Sequence, residues 1–231
     1  MRTPRRIVII IAGTNEPSNA ASLALYFVKG MKKHLQSATI DEFRLKDMHI
    51  EHFTLKHYET NTDQGKDFKA IKQAVEKADA LVIATPIWNF SVPAHLKNLI
   101  DRMGSFALDS SSRSLGMLNG KPVYLLYTGG SPSVVWTGLQ RRTLSHMPVS
   151  LRYFGLTVIG SHYEERCTLG KGRFGLVVDK RKSTEEIVGQ KGASFAKIVD
   201  YYARTGKLPF RQWILKHIFQ SAQRVKRKLG I

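Results

Sequence analysis

The sequence has one cysteine, Cys167, among 231 residues. A single thiol excludes an internal disulfide and any CxxC or Cys/His zinc pattern, and we therefore expect a reducing, cytoplasmic location. Long hydrophobic runs are also absent, because the longest covers the six residues from Ile7 to Ala12. A membrane-spanning helix needs about 20 such residues. The sequence therefore predicts neither a disulfide framework nor a transmembrane helix.

Acidic residues are scarce. There are 18 Asp and Glu against 36 Lys and Arg, for a net charge of +18. Such a surface attracts anions, which include nucleotides, phospholipid headgroups and nucleic acid, without choosing among them. From Asp200 onward the chain has eight Lys and Arg and one acidic residue, which leaves +11 for the first 199 residues. The 42% of hydrophobic residues suffice for a sizeable core and exclude intrinsic disorder.

Short apolar stretches alternate with helix-period segments. The predicted strands are Arg6 to Ala12, Thr39 to Leu45, Ala80 to Thr85, Pro122 to Thr128 and Leu151 to Ile159. The predicted helices are Ser18 to Gln36, Gln64 to Lys77, Ala94 to Phe106, Val134 to Met147, Thr184 to Thr205 and Pro209 to Leu229. This alternation favours an α/β fold with a parallel sheet and helices on both faces.

Three loops follow predicted strands and carry polar or aromatic residues. They are Gly13 to Ser22, Pro86 to Pro93 and Thr128 to Ser133. In an open parallel sheet, ligands bind at the carboxyl ends of the strands, where the strand order reverses. We therefore expect the three loops to enclose one nucleotide.

The first loop predicts a phosphate site. It offers hydroxyl and amide groups just where a helix begins, and backbone N–H groups there attract anions. The residues are Thr14, Ser18, Asn19 and Ser22. The alternative is that Ser18 or Asn19 only caps the helix. The loop has neither a Walker A nor a GxGxxG pattern, which argues against an ATPase or an ordinary dinucleotide fold.

The other two loops suit a flat heterocycle. Trp88 and Phe90 lie beside Asn89 between two prolines, where they can stack on a ring while the amide bonds its edge. The alternative for Trp88 is simple packing beneath the loop. Gly129 and Gly130 permit close approach of the backbone to such a ring, although a pair of glycines is weak evidence by itself.

At this point the chain resembles the FMN-dependent NAD(P)H oxidoreductases of flavodoxin-like fold, which include quinone, azo-dye and FMN reductases. The resemblance rests chiefly on the segment TPIWNFSVPAHLKNLIDR, from Thr85 to Arg102. It continues through LGMLNGKPVYLLYTGGSP, from Leu115 to Pro132, and LRYFGLTVIG, from Leu151 to Gly160. It covers about the first 160 residues.

The resemblance implies a doubly wound, five-stranded parallel sheet of order 2-1-3-4-5 and an FMN cofactor. The residues implied at the phosphate are Thr14, Ser18, Asn19 and Ser22. Those implied at the ring are Pro86, Ile87, Trp88, Asn89 and Phe90, with Thr128, Gly129 and Gly130 at its pyrimidine side. Two departures stand out: Trp88 replaces the usual Tyr, and Glu16 lies near a position that is often Arg. A carboxylate beside a phosphate weakens binding unless it turns away.

The resemblance also implies ping-pong chemistry. NADPH or NADH gives a hydride to the flavin N5, and a small-molecule acceptor (a quinone, flavin or azo compound) then takes electrons at the same face. We nominate no catalytic acid or nucleophile of the protein, and we expect a homodimer. Two alternatives stay open: an FMN electron carrier that does not use nicotinamide, and an interaction module recruited to membranes.

Three features match patterns of other functions but lack the sequence context that those functions require. Gly170 to Gly175 matches GxGxxG, but it does not lie between a strand and a helix. His49, His52 and His57 lack a recognised ligand spacing, and we expect solvated loop histidines rather than a metal site. Cys167 has no identifiable partner and is interpreted as a structural thiol.

The tail is treated as an extension of a FMN-binding domain. We expect the domain at residues 1–206 and a basic amphipathic helix at 207–231. The helical stripe comprises Phe210, Trp213, Ile214, Ile218, Ala222, Val225 and Leu229. The favoured interpretation is that this stripe docks on its own domain or a partner subunit. An anionic membrane surface is the second, and nucleic acid is not expected because no recognition fold accompanies the charge.

Overall fold

The computed structural model describes residues 4–59, 61–170, 173 and 175–229. Its strands are β1 (Arg6–Ile11), β2 (Thr39–Arg44), β3 (Ala80–Pro86), β4 (Pro122–Thr128) and β5 (Thr157–Glu164). All neighbours pair in parallel, in the order β2-β1-β3-β4-β5. The predicted flavodoxin-like α/β fold and its strand order are confirmed.

Eight helical segments connect and flank the strands. They are α1 (Asn19–Lys32), α2 (Lys66–Lys77), α3 (Ala94–Ala107), α4 (Ser133–Val135), α5 (Arg141–Thr143), α6 (His146–Tyr153), α7 (Lys182–Thr205) and α8 (Phe210–Leu229). A π-helical turn, Trp136–Gln140, joins α4 to α5. Short 3-10 turns occupy Leu45–Asp47, Leu55–Tyr58 and Val178–Lys180.

The sheet separates two apolar layers, and this explains the unbroken apolar run of β1. Val8 and Ile10 point into a layer formed with α2, α3 and α6. Ile7 and Ile9 point into the other layer, formed with α1 and α7. Because a strand covered on both faces has no polar side, its sequence does not alternate.

Helices α1 and α7 pack closely on one face of the sheet. A Cβ placed on Gly30 of α1 would lie 1.9 Å from the carbonyl oxygen of Gly189 in α7. Only a residue without a side chain fits this crossing. The contact fixes the position of α1, whose first turn faces the carboxyl ends of the strands.

Two predicted boundaries are wrong around the last strand. The predicted helix from Val134 to Met147 is divided into short segments and ends at Tyr153, and the predicted strand from Leu151 to Ile159 begins at Thr157 and ends at Glu164. Met147 and Leu151 are both buried in one layer, as a helical spacing of four allows. Gly155, with φ of +87°, follows α6 and supplies the left-handed conformation that ends a helix.

The exposure of the apolar stripe of α8 contradicts docking on its own domain, whereas docking on a partner subunit stays a prediction. Phe210, Trp213, Ile218, Ala222 and Val225 are exposed, and Ile214 is half-buried. The side chain of Leu229 lies outside the described residues. Gln223 is buried and donates to the carbonyl oxygen of Tyr153 at 2.9 Å, which anchors the helix to the domain.

Within the described part of the chain, no helix combines the length and the apolar character that crossing a membrane requires.

Candidate functional site

The three predicted loops meet in one cleft at the carboxyl ends of β1, β3 and β4. The cleft holds about 450 Å³ of empty space, part of it open to solvent. Nine of the residues predicted at the site line it: Thr14, Ser18, Asn19, Pro86, Ile87, Trp88, Thr128, Gly129 and Gly130. The other three, Ser22, Asn89 and Phe90, do not line it.

The start of α1 forms the anion-binding end of the cleft. Ser18 is the N-cap, with φ of −113°, and its hydroxyl accepts a hydrogen bond from the Ala21 amide at 3.3 Å. The first turn of α1 contains no acidic residue. Its remaining N–H groups and the exposed Thr14 face the cleft and favour an anion there. Ser18 therefore acts as a helix cap within the candidate phosphate loop.

The side chains of Asn19 and Ser22 are engaged elsewhere. The Asn19 amide donates to the Gly175 carbonyl at 2.8 Å and accepts from the Val177 and Val178 amides at 2.9 and 3.1 Å. The Ser22 hydroxyl donates to the Ser18 carbonyl at 3.2 Å. The Asn19 side chain therefore secures the segment before the Val178–Lys180 turn, and only the backbone of Asn19 is left as a candidate anion contact.

Glu16 is paired with two cations. Its carboxylate lies 3.7 Å from the Arg44 guanidinium and 3.3 Å from Lys46 Nζ. Hydrogen bonds to Asp47 and to Glu16 raise the pKa of Lys46, so this lysine stays charged. The same two cations also pair with Glu42 and Asp47, at 2.9 and 2.7 Å, so they offset only part of the negative charge of Glu16.

The second loop is a tight turn with unusual backbone geometry. Trp88 and Ser91 exchange two main-chain hydrogen bonds of 2.9 Å. The central residues, Asn89 and Phe90, have φ of +48° and +63°. Two positive φ values are typical of a type I′ turn, in which glycine and asparagine are favoured and an aromatic residue is strained. The turn leaves Phe90 exposed at the rim.

Trp88 is half-buried and lines the cleft. The adjacent Ile87 amide donates to the Thr128 carbonyl at 2.8 Å, which joins the second loop to the end of β4. This position favours the stacking role over simple packing beneath the loop.

The third loop is held by the chain that leaves β5. The Gly129 amide donates to the Glu164 carbonyl, and its carbonyl accepts from the Cys167 amide, at 3.0 and 2.9 Å. The Tyr163 hydroxyl donates to the Ser131 carbonyl at 2.6 Å, and its ring stacks on Trp136. Because the Gly129 amide is engaged, the Gly130 amide is the candidate main-chain donor of this glycine pair.

Five lining residues escaped the sequence analysis: Gly13, Asn15, Ala20, Cys167 and Thr168. The first three lie within or beside the predicted phosphate loop. Cys167 and Thr168 follow β5, and a correct end of that strand would have marked a fourth loop at the same edge. Burial raises the pKa of the Cys167 thiol to about 12, so the cleft meets a neutral thiol.

His49, His52 and His57 divide into two groups. His49 and His52 are exposed as expected. His57 is buried, so the prediction of a solvated side chain is wrong for this residue. Its Nδ1 accepts a hydrogen bond from the Thr54 amide at 2.9 Å and caps a 3-10 turn. Among the residues described, no group of three His, Cys, Asp or Glu is placed to hold a metal ion. The GxGxxG pattern includes Lys171, Gly172 and Phe174, which lie outside the described residues.

Comparison with known proteins gives consistent matches. Residues 5–163 match the family described as NADPH-dependent FMN reductase. An FMN-dependent NADH:quinone oxidoreductase of Coprothermobacter proteolyticus is 28% identical over 203 residues, covering 76% of this chain and 93% of the relative. One of Thiobacillus denitrificans is 44% identical over 63 residues, covering 26% of this chain and only 31% of the relative.

Solved structures show the same fold. The crystal structure of an FMN-dependent NADH-azoreductase from Bacillus anthracis in complex with FMN matches with a TM-score of 0.62 at 16% identity. The match covers 83% of this chain and 100% of the azoreductase chain.

Proposed function

The chain belongs to the NADPH-dependent FMN reductase family, and from this premise we propose that it reduces quinones and related planar acceptors by a ping-pong mechanism. As a member of that family it is an oxidoreductase with FMN as cofactor and NADPH or NADH as co-substrate. The observation that carries the proposal is the single cleft in which a helix start and two ring-binding loops meet.

The residues of the cleft fit FMN at both ends. We assign the phosphate to the Thr14 and Ser18 hydroxyls and the amides at the start of α1, where an acid-free first turn suits a dianion. We assign one side of the ring to Trp88 and its pyrimidine edge to the Gly130 amide. A Cβ at Gly129 would lie 2.7 Å from the Tyr163 hydroxyl, so this glycine lets the loop lie close against Tyr163.

When bound, FMN supplies the electron chemistry by taking a hydride from the nicotinamide and passing two electrons to the acceptor. The protein's residues position the ring and stabilise developing negative charge through fixed backbone donors. Part of the cleft is open to solvent, which keeps one side of the ring accessible. Because one open face must serve both substrates in turn, we expect the first product to leave before the acceptor binds.

The first test is an anaerobic absorbance spectrum of the FMN-reconstituted, desalted protein. A retained flavin band that NADPH or NADH bleaches is expected, and the faster of the two identifies the physiological donor. If flavin is retained and neither nucleotide bleaches it, the result would contradict reductase activity and favour the alternative of an FMN electron carrier that does not use nicotinamide. A Ser18→Ala variant should retain FMN less well, because it removes the cap of the phosphate loop.

The second test is steady-state kinetics with a soluble quinone, an azo dye and free FMN as acceptors. Parallel double-reciprocal lines over several acceptor concentrations are expected for ping-pong kinetics, and intersecting lines would contradict them. A Trp88→Ala variant should weaken FMN binding, since the ring loses its stacking surface.

We also propose a homodimer that covers the rim of the cleft. Phe90, Val134 and Leu139 are exposed apolar residues, and the Thr143 hydroxyl bonds the Phe90 carbonyl at 2.6 Å, which brings their segments together. An exposed apolar cluster beside a binding site is typical of a protein interface. Light scattering after gel filtration should give twice the chain mass of 26.1 kDa, and a Leu139→Asp variant should shift it to the monomer.

The proposed location is the cytoplasm. The free thiol of Cys167 is buried and suits a reducing compartment. Cell fractionation with a cytoplasmic marker tests this location, and recovery with secreted proteins would contradict it.

A further inference from the structure

Helix α8 shows its apolar side to solvent. Phe210 is 76%, Trp213 44%, Ile218 62% and Val225 56% exposed. Phe210 stacks on Trp213, and the Trp213 ring contacts the His217 ring in a tilted arrangement, with 4.1 Å between the ring centroids. These residues recur at a spacing that places them on one side of a helix. The outward surface of α8 is therefore a continuous apolar stripe, which we call the α8 stripe (Phe210, Trp213, Ile218 and Val225).

The side of α8 that carries Gln212 and Gln223 faces the domain. Gln223 is buried and donates to the Tyr153 carbonyl at 2.9 Å, and Gln212 contributes to a groove beside β5. Amphipathic helices on soluble proteins normally bury the apolar side instead. The Gln223 bond thus anchors α8 to the domain from the side opposite the α8 stripe, and the stripe stays exposed.

The sequence around the α8 stripe has charge of one sign. From Tyr201 to Ile231 there are eight Lys and Arg and no Asp or Glu. Arg224 and Lys207 are exposed. No acidic side chain lies within this segment, and Arg204 pairs with Asp200 just outside it, at 3.0 Å. The excess positive charge of the segment favours an external anion.

We propose that α8 docks on an anionic phospholipid bilayer, with the α8 stripe in the interface and the cations among the headgroups. A helix that joins an apolar face with Trp to a cationic surround and contains no acid is typical of interfacial binding. The helix lies along the surface and does not span it. The extension 207–231 thereby brings the reductase cleft to a membrane, where apolar acceptors dissolve.

Two other occupants fit the observations less well. A second copy would bring two segments of the same positive charge face to face, which is unfavourable in a two-fold contact. A nucleic acid would engage the cations but would leave Phe210, Ile218 and Val225 in water.

The test is cosedimentation of the full chain with vesicles of phosphatidylcholine alone and of phosphatidylcholine mixed with phosphatidylglycerol. Binding to the mixed vesicles should be at least about tenfold tighter and should weaken with added salt. Trp213 emission should shift to shorter wavelength and be quenched by brominated acyl chains, and a Trp213→Tyr variant identifies its share of the signal.

Paired variants separate the two contributions. Ile218→Ser with Val225→Ser should lower binding at least about tenfold, whereas Leu25→Ser with Leu55→Ser, also exposed apolar residues, should leave it unchanged. Arg224→Gln with Lys207→Gln should lower it by a similar factor, whereas Lys33→Gln with Lys66→Gln should have a smaller effect. Circular dichroism and FMN retention confirm that each variant is folded.

Several results would overturn the proposal. Equal binding to both vesicle compositions would contradict a preference for an anionic surface. Unchanged binding of the Ile218→Ser, Val225→Ser protein would contradict a role of the α8 stripe in binding. If the protein does not bind vesicles and the Ile218→Ser, Val225→Ser variant converts a dimer to a monomer, the α8 stripe forms an interface with a second copy of the chain. Binding to duplex DNA but not to vesicles would assign the cations to nucleic acid. None of these results depends on reductase activity.

Discussion

The Gly129 amide donates to the carbonyl oxygen of Glu164 at 3.0 Å, and this bond ties the glycine loop after β4 to the end of β5. The Cys167 amide completes the connection by donating to the Gly129 carbonyl at 2.9 Å. Both polar groups of Gly129 are therefore fixed by a single neighbouring segment. The geometry of the cleft depends on that segment as much as on the loop itself.

A side chain at position 129 should disturb the site. A Cβ there would lie 2.7 Å from the Tyr163 hydroxyl, so Gly129→Ala must shift the loop or the ring. Displacements of this kind weaken a positioned contact, and we expect FMN affinity to fall by about tenfold. Fluorescence titration of FMN measures the Kd. The matched control is Gly138→Ala, since a Cβ at Gly138 meets nothing within 4 Å; equal affinity of the two variants would contradict the assignment.

The Glu164 carboxylate predicts a pH-dependent stability. Burial raises its pKa, but hydrogen bonds from His162, Arg181 and Thr184 outweigh burial and bring the pKa below the ordinary 4.5. The Arg181 and Thr184 bonds measure 2.7 and 2.8 Å. A folded-state pKa that is lowered stabilises the fold above the unfolded pKa, and this contribution is lost as pH falls through the folded value.

Glu164→Gln should therefore cost about 2 kcal/mol of unfolding free energy at neutral pH. The difference from the original protein should shrink as the pH drops below about 4.5 and the glutamate becomes protonated. Urea unfolding over a pH series measures it. Glu42→Gln, at the exposed Arg44 pair, provides the control and should change stability by less than about 1 kcal/mol. A Glu164 difference that does not vary with pH would contradict the ionised carboxylate.

We expect a change at Phe90 to affect thermal stability and kcat/KM in opposite directions. Its φ of +63° places an aromatic residue in the left-handed region, which costs about 1 kcal/mol. Phe90→Gly should recover this energy and raise Tm, while removing the rim beside the ring should lower kcat/KM for the quinone. Asn119→Gly, also at positive φ, should leave kcat/KM unchanged. A Phe90→Gly enzyme of unchanged kcat/KM would exclude the rim from substrate binding.

The sequence predicted the sheet better than its last strand. The apolar runs of β1 and β3 are diagnostic because these strands are covered on both faces. The strand order was implied by the family resemblance rather than by the residues. The start of β5 is misplaced because Leu151 and Phe154 resemble strand residues, whereas the structure places Leu151 on α6, in the same apolar layer as Met147.

The orientation of α8 and the complete lining of the cleft could not be predicted from the sequence alone. A helical stripe shows which residues share a side, but not whether that side faces the domain or the solvent. Gln223 decides the question through its bond to Tyr153, 70 residues away in sequence. Cys167 and Thr168 join the cleft for a similar reason, because the pairing of Gly129 with Glu164 brings their segment to the site.

Arg102 should be essential to stability. It is fully buried on α3 and donates to the Glu51 and Gln64 carbonyls at 3.0 and 2.9 Å, while its guanidinium covers the Phe68 ring. Arg102→Leu leaves these acceptors unpaired and should cost about 3 kcal/mol. Urea unfolding measures the loss. Lys97→Leu, at an exposed pair on the same helix, should cost less than about 1 kcal/mol. Similar costs for the two would contradict a structural role of Arg102.

The pairing of Glu16 determines how the phosphate loop tolerates a carboxylate. Because Arg44 and Lys46 offset part of its charge and the carboxylate is exposed to solvent, Glu16→Gln should change the Kd for FMN by less than about threefold. Removing both cations, as Arg44→Gln with Lys46→Gln, leaves the carboxylate unopposed near the phosphate and should weaken FMN binding by about tenfold at low salt.

Adding Glu16→Gln to that double variant isolates the cause. If repulsion by the carboxylate weakens binding, the triple variant should recover most of the affinity, and added salt should narrow the gap between double and triple variants. FMN titration at two salt concentrations measures both effects. A triple variant as weak as the double would show instead that Arg44 and Lys46 attract the phosphate directly, because their loss alone would then account for the change.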